Sequence, residues 1–118
     1  MNKIIGALSI IATLSISAIS FAGAVGGPKV VKESVRPMST DFYQIYFRGN
    51  EVAHVEVKGD GDTDLDCYVY DQNRNLVAQD IDSTDYCVLN WVPRWTGPFT
   101  LFIKNQGDVS NVYVAGTN

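Results

Sequence analysis

The sequence predicts an all-β protein, an antiparallel β-sandwich of jelly-roll-like form built from seven to eight short strands. Three observations predict it. Apolar residues recur with a period of two from about Val31 onward, long helical patterns are absent from that region, and clusters of Gly, Asn, Asp and Pro interrupt the alternation at regular intervals.

Residues 1–22 stand apart from this pattern. Lys3 precedes an apolar run, and a small-x-small site, "SFA", closes it at Ala22, the arrangement of a secretory signal peptide. The run approaches the length of a membrane span, but four Ser and a Thr dilute it and no stop-transfer charges follow at once. Cleavage there leaves about 96 residues, enough for one small domain. Residues 23–40 read as a flexible leader running into a first edge strand around Val30 to Val35, and residues 41–118 as the β-sandwich domain.

Each later strand follows from its alternation. "DFYQIYF" sets Tyr43, Ile45 and Phe47 on one face, and "EVAHVEVKG" sets Ala53, Val55 and Val57 inward with His54 and Glu56 outward. "LDCYVYD" directs Leu65, Cys67 and Val69 to the core and Asp66, Tyr68 and Tyr70 away from it. "NLVAQD" is a short strand, "YCVLNWV" offers Cys87, Leu89 and Trp91, "PFTLFIKN" offers Phe99, Leu101 and Ile103, and "NVYVAG" closes the domain with Val112 and Val114 as its inward pair. The segments "RGN", "GDGDT", "DQNRN", "DIDSTD", "PRWTGP" and "NQGD" supply the turns.

Charge and cysteine content narrow the function classes. Without Lys3, eight Lys or Arg stand against thirteen Asp or Glu, an acidic balance that disfavours a phosphate backbone as partner. After cleavage no membrane association is expected either. Two cysteines, Cys67 and Cys87, in an exported chain predict a disulfide, and both fall on the inward parity of their strands. Two buried thiols are the alternative. Metal binding through Cys lacks partners, since His54 is the single histidine and no C-x-x-C is present.

"GDGDTDLDCYVYD", "NLVAQD", "WVPRWTGPFTLFIKNQG" and the closing "NVYV" together resemble the bacterial pre-peptidase C-terminal domain. The most specific part is D-x-D-L-x-x-x-V-x-D followed by W-T-G-P-F. The resemblance implies a small jelly-roll-like sandwich without catalytic activity that assists secretion, substrate binding or localisation of an attached enzyme, in some relatives with bound calcium. No attached peptidase is expected beside this domain, a departure from the pattern, and Arg74 stands where a hairpin Gly is common, so Arg74 takes a positive φ or the turn type changes.

Calcium is the candidate cofactor, with Asp60, Asp62, Asp64 and Asp66 as candidate ligands. Asp60, Asp62, Asp64 and Asp71 superficially match positions 1, 3, 5 and 12 of a calcium loop, but Leu65 occupies the position that needs Gly, and strands flank the segment, so it is not an EF-hand. Gly59 and Gly61 permit a tighter fold, and "DIDSTD" offers Asp80, Asp82 or Asp85 as further oxygens. Turn and strand-edge roles for these aspartates are the plain alternative.

Catalysis is not expected. His54 has Glu56 on its own face but no nucleophile elbow, and it reads as ordinary surface. Tyr68, Tyr70 and Phe102 could stack on sugar rings, although cross-strand pairing accounts for them more simply. Trp91 and Trp95 read as structural. The expectation is an exported, non-catalytic binding or stabilising module, periplasmic or secreted, whose partner is an extracellular or periplasmic protein or polysaccharide. The alternative is a stand-alone partner or inhibitor of a secreted peptidase acting in trans.

Overall fold

Alternation places one face of each strand against water and the other against its counterpart in a second sheet, and the chain uses this arrangement throughout. A computed structural model describes residues 2–4 and 23–118. The strands are β1 (Asn2–Ile4), β2 (Val30–Val35), β3 (Thr40–Phe47), β4 (Ala53–Lys58), β5 (Leu65–Tyr70), β6 (Leu76–Asp80), β7 (Tyr86–Trp91), β8 (Gly97–Asn105) and β9 (Asn111–Thr117). One sheet has the order β1-β3-β8-β5-β6 and the other β2-β9-β4-β7. From β2 onward all pairings are antiparallel, and only β1 runs parallel to its neighbour β3. The expected signal peptide, apart from residues 2–4, lies outside the described residues. Among the described residues no helix is long and apolar enough to cross a membrane.

From β2 the chain crosses between the sheets at each connection except β5 to β6, so the core is assembled from distant segments. Tyr43, Ile45, Phe47, Val55, Val57, Leu65, Val69, Leu89, Leu101 and Ile103 fill it, all nearly inaccessible. Burial of such side chains contributes about 1.5–3 kcal/mol each and sets which parity faces inward. Cys67 of β5 and Cys87 of β7 form a disulfide with Cα atoms 6.3 Å apart, linking the two sheets. The segment ahead of β2 is tied down at its start: Gly23 and Ala24 are buried, the Arg48 amide donates to Gly23 O at 2.8 Å, and the Val25 amide donates to Tyr46 O at 2.8 Å.

In β9 the structure reverses the expected parity. Tyr113 and Ala115 face the core, while Val112 is 40% exposed. The phenol decides this, because the Tyr113 hydroxyl donates to Asp41 Oδ2 at 2.6 Å and is also hydrogen-bonded to the Tyr43 hydroxyl. A large ring whose polar tip is satisfied buries more apolar area than a valine does.

Candidate functional site: the acidic loop and the aromatic end

The acidic segment forms the β4–β5 connection and is laced to the β6–β7 loop. The Gly59 amide donates to Asp85 O at 2.9 Å, the Gly61 amide to Asp85 Oδ2 at 2.6 Å, and the Leu65 amide to Thr84 O at 3.1 Å. A side chain at residue 59 would stand 2.2 Å from Asp85 Oδ2, and Gly61 has φ +91, so both glycines are required by the loop itself. Of the other residues of "DIDSTD", Asp80 accepts the Val88 amide at 2.9 Å and Asp82 accepts the Thr84 amide at 2.8 Å. The Thr84 hydroxyl and amide hold the Asp82 carboxyl below its ordinary range.

The four candidate ligands do different things. Asp60 accepts the Asp62 amide at 3.1 Å and the Val112 amide at 2.9 Å, tying the loop to β9, and Asp62 is exposed. Asp66 accepts from Gln106 Nε2 at 2.7 Å through Oδ2. Asp64 Oδ1 and Asp66 Oδ1 are both buried without a hydrogen-bond partner. Burial raises the Asp64 carboxyl above its ordinary range, helped by the charges of Asp66, Asp82 and Asp85. Among the described residues no group of three or more His, Cys, Asp or Glu side chains converges to hold a metal ion.

His54 and Glu56 are not plain surface, as expected from sequence, but are only 6% and 5% exposed. His54 Nε2 lies 2.8 Å from Glu56 Oε2, its Nδ1 lies 2.5 Å from Asn90 Oδ1, and the Tyr86 hydroxyl donates to Glu56 Oε1 at 3.2 Å. The pairing of β4 with β7 sets His54 opposite Asn90, and mutual hydrogen bonding makes the burial tolerable. Both imidazole nitrogens are engaged within the cluster, one by the Glu56 carboxylate and the other by the Asn90 side-chain amide. The cluster therefore acts as a polar clamp between β4 and β7.

At the opposite end, two hollows adjoin at Asp71. The first, about 220 Å³, is lined by Asp71, Trp91, Val92, Arg94, Trp95 and Phe99 among others. The second, about 460 Å³, is lined by Tyr70, Asp71, Arg74, Thr100 and Phe102. Trp95 is 44% exposed rather than packed away, while Trp91 is buried beside Phe47 and Phe99 with its indole N–H unpartnered. The loop carrying Trp95 is pinned from behind: the Asn50 amide donates to Pro93 O at 2.7 Å, and the Gly49 amide to Thr96 Oγ1 at 3.0 Å. Asp71 organises the β5–β6 turn, accepting the amides of Asn73 and Asn75 at 2.8 and 2.9 Å and the Asn75 side chain at 3.1 Å. These bonds, led by the Asn75 amide, hold its carboxyl below the ordinary range. Phe102 packs between Phe42 and Tyr70, with ring centroids 4.7 and 5.1 Å away, the cross-strand pairing expected for the outward aromatics. Sequence reading missed the first hollow, whose signal lay in the "VPRWTGP" corner.

No family model matches the sequence, and no curated protein sequence matches it. Solved structures do. The pre-peptidase C-terminal domain of a collagenase from Bacillus anthracis superposes with a TM-score of 0.59 at 14% identity, covering 75% of this chain and 87% of that one. The fold is that of a pre-peptidase C-terminal domain. Aeromonas hydrophila PliG, a periplasmic lysozyme inhibitor of g-type lysozyme, has a TM-score of 0.57 at 11% identity, covering 100% of this chain and 98% of that one. Within the pre-peptidase C-terminal fold of this chain, the acidic loop and the aromatic hollows lie on different connections, at β4–β5 and at β5–β6 with β7–β8.

Proposed function

We propose that this chain is an exported, non-catalytic β-sandwich module that acts outside the cytoplasm by binding a partner through the aromatic end of the sandwich. The observation that carries this reading is the pair of adjoining hollows with an exposed Trp95 and two exposed arginines, Arg74 and Arg94, on an otherwise acidic protein. Trp, Tyr and Arg are the side chains that concentrate binding energy at interfaces, and here they sit on loops fixed by hydrogen bonds. The Cys67–Cys87 disulfide supports an oxidising destination. Action in trans, as a stand-alone partner or inhibitor of a secreted peptidase, draws support in its inhibitor form from the likeness to a periplasmic lysozyme inhibitor over 100% of this chain. Retention assays with Trp95→Ala test the reading: loss of partner capture by a folded variant supports it, and capture equal to that of the parent protein overturns it.

A second reading adds calcium. It is favoured by the two buried carboxyl oxygens of Asp64 and Asp66 that meet no donor group, where a hard cation would take up both. Asp64 and Asp66 would hold it, with Asp62 the nearest further carboxylate in sequence. Asp60 is committed to Val112. Melting in chelator and then in millimolar calcium is the test, since a ligand bound only by the folded state raises the melting temperature. An unchanged melting temperature rejects it.

A further inference from the structure

We propose that the two adjoining hollows bind two consecutive units of an acidic polysaccharide, each a sugar ring bearing a carboxylate. The inference rests on the binding reading above and names the ligand of that same end.

The two hollows repeat one set of parts. In the first, Trp95 presents a part-exposed indole beside Arg94. In the second, Tyr70 and Phe102 present part-exposed rings beside Arg74 and the Thr100 hydroxyl. A regular polymer offers the same groups at each repeat, which a folded protein surface does not. The apolar face of a pyranose covers an aromatic ring, and a planar guanidinium meets a carboxylate with two parallel hydrogen bonds. Neither guanidinium has a side-chain partner among the described residues, so each is available to a ligand. Asp71, shared by both hollows, accepts three turn donors, so its ionised carboxylate is taken up by its own turn and the ligand's carboxylates fall to Arg74 and Arg94. Arg74 is also held at φ 65, a conformation that costs nothing to Gly, so this arginine stands there against local preference.

Calorimetric titration of the exported protein with a hexameric oligogalacturonate, a neutral cello-oligosaccharide and a polyglutamate peptide tests the proposal. Binding of the oligogalacturonate is expected, weakening as salt rises, with the neutral oligomer about tenfold weaker or worse. Trp95→Ala and the pair Arg74→Gly with Arg94→Ala are each expected to lower affinity by about tenfold or more. Arg74→Gly removes a strained residue, so loss of binding there does not arise from misfolding. Equal binding of the neutral oligomer, equal binding of polyglutamate, indifference to the variants, or no binding of oligogalacturonate overturns the proposal. If oligogalacturonate fails while Trp95→Ala still abolishes capture of a protein partner, the polysaccharide falls and the binding module stands. If Trp95→Ala leaves capture intact as well, both fall.

Discussion

At the scale of single residues, Arg74 and Asp64 are two of the places where the fold holds a residue against its own preference. Arg74 sits at φ 65 in the β5–β6 turn, its amide donating to Asp71 O at 3.0 Å. Left-handed backbone costs an ordinary residue roughly 1–2 kcal/mol, while Gly adds unfolded-state entropy worth roughly 0.5–1. Arg74→Gly is therefore expected to raise stability by up to about 1 kcal/mol, read from the urea midpoint. Asp64 has its carboxyl pushed up by burial and by neighbouring carboxylates. The native state then holds the proton more tightly than the unfolded chain does, so the contribution is favourable below the unfolded pKa and is lost as pH rises through the folded one. Asp64→Asn is expected to flatten that fall and to stabilise the metal-free protein modestly at neutral pH, since the side chain is part-exposed. A steeper fall in the variant than in the parent counts against this account.

Among the elements, β9 depends most on a polar contact. Tyr113 points inward because its hydroxyl reaches Asp41 and Tyr43 across the core from β3. Burial raises both phenols above their ordinary range, so each stays neutral while the protein is folded. Their contribution is complete below the unfolded tyrosine value of about 10 and is lost progressively as pH rises beyond it. Stability is expected to decline above about pH 10 in the parent and less so in Tyr113→Phe, which loses about 1–2 kcal/mol at neutral pH with the hydroxyl. Alkaline denaturation followed by circular dichroism checks both statements. Elsewhere the alternation was legible strand by strand, from Val30–Val35 onward, because one parity was apolar and the other was not. "NVYVAG" is apolar at both parities, so its facing was not legible.

For the whole molecule, the Cys67–Cys87 bond joins β5 of one sheet to β7 of the other over a separation of 20 residues. Closing a loop of that length restricts the unfolded chain by about 3 kcal/mol in the chain-entropy model. The two sheets also share one core, so losing the link weakens both together. Replacement of both cysteines by Ala is expected to lower unfolding free energy by about that amount, a large share for a domain of this size, with equal loss in signals from either sheet. Loss confined to one sheet, or a negligible change, refutes the expectation.

By itself the sequence determined the fold class and the strand positions and pointed to the pairing of the two cysteines, because each follows from local alternation or chemistry. It left open whether Arg74 takes a positive φ or the turn type changes, which the structure decides at φ 65. Only the tertiary structure decided what crosses between strands. It buried His54 and Glu56 against Asn90 and Tyr86, although their parity had marked them as surface. It also turned Tyr113 toward Asp41, tied Asp60 to Val112, and brought Trp95 and Arg94 up to a hollow that adjoins the one beside Arg74 and Tyr70. Periodicity reports which way a side chain points within its own strand. What it meets there is set by neighbours tens of residues away, and those neighbours decide burial, hydrogen bonding and the shape of a site.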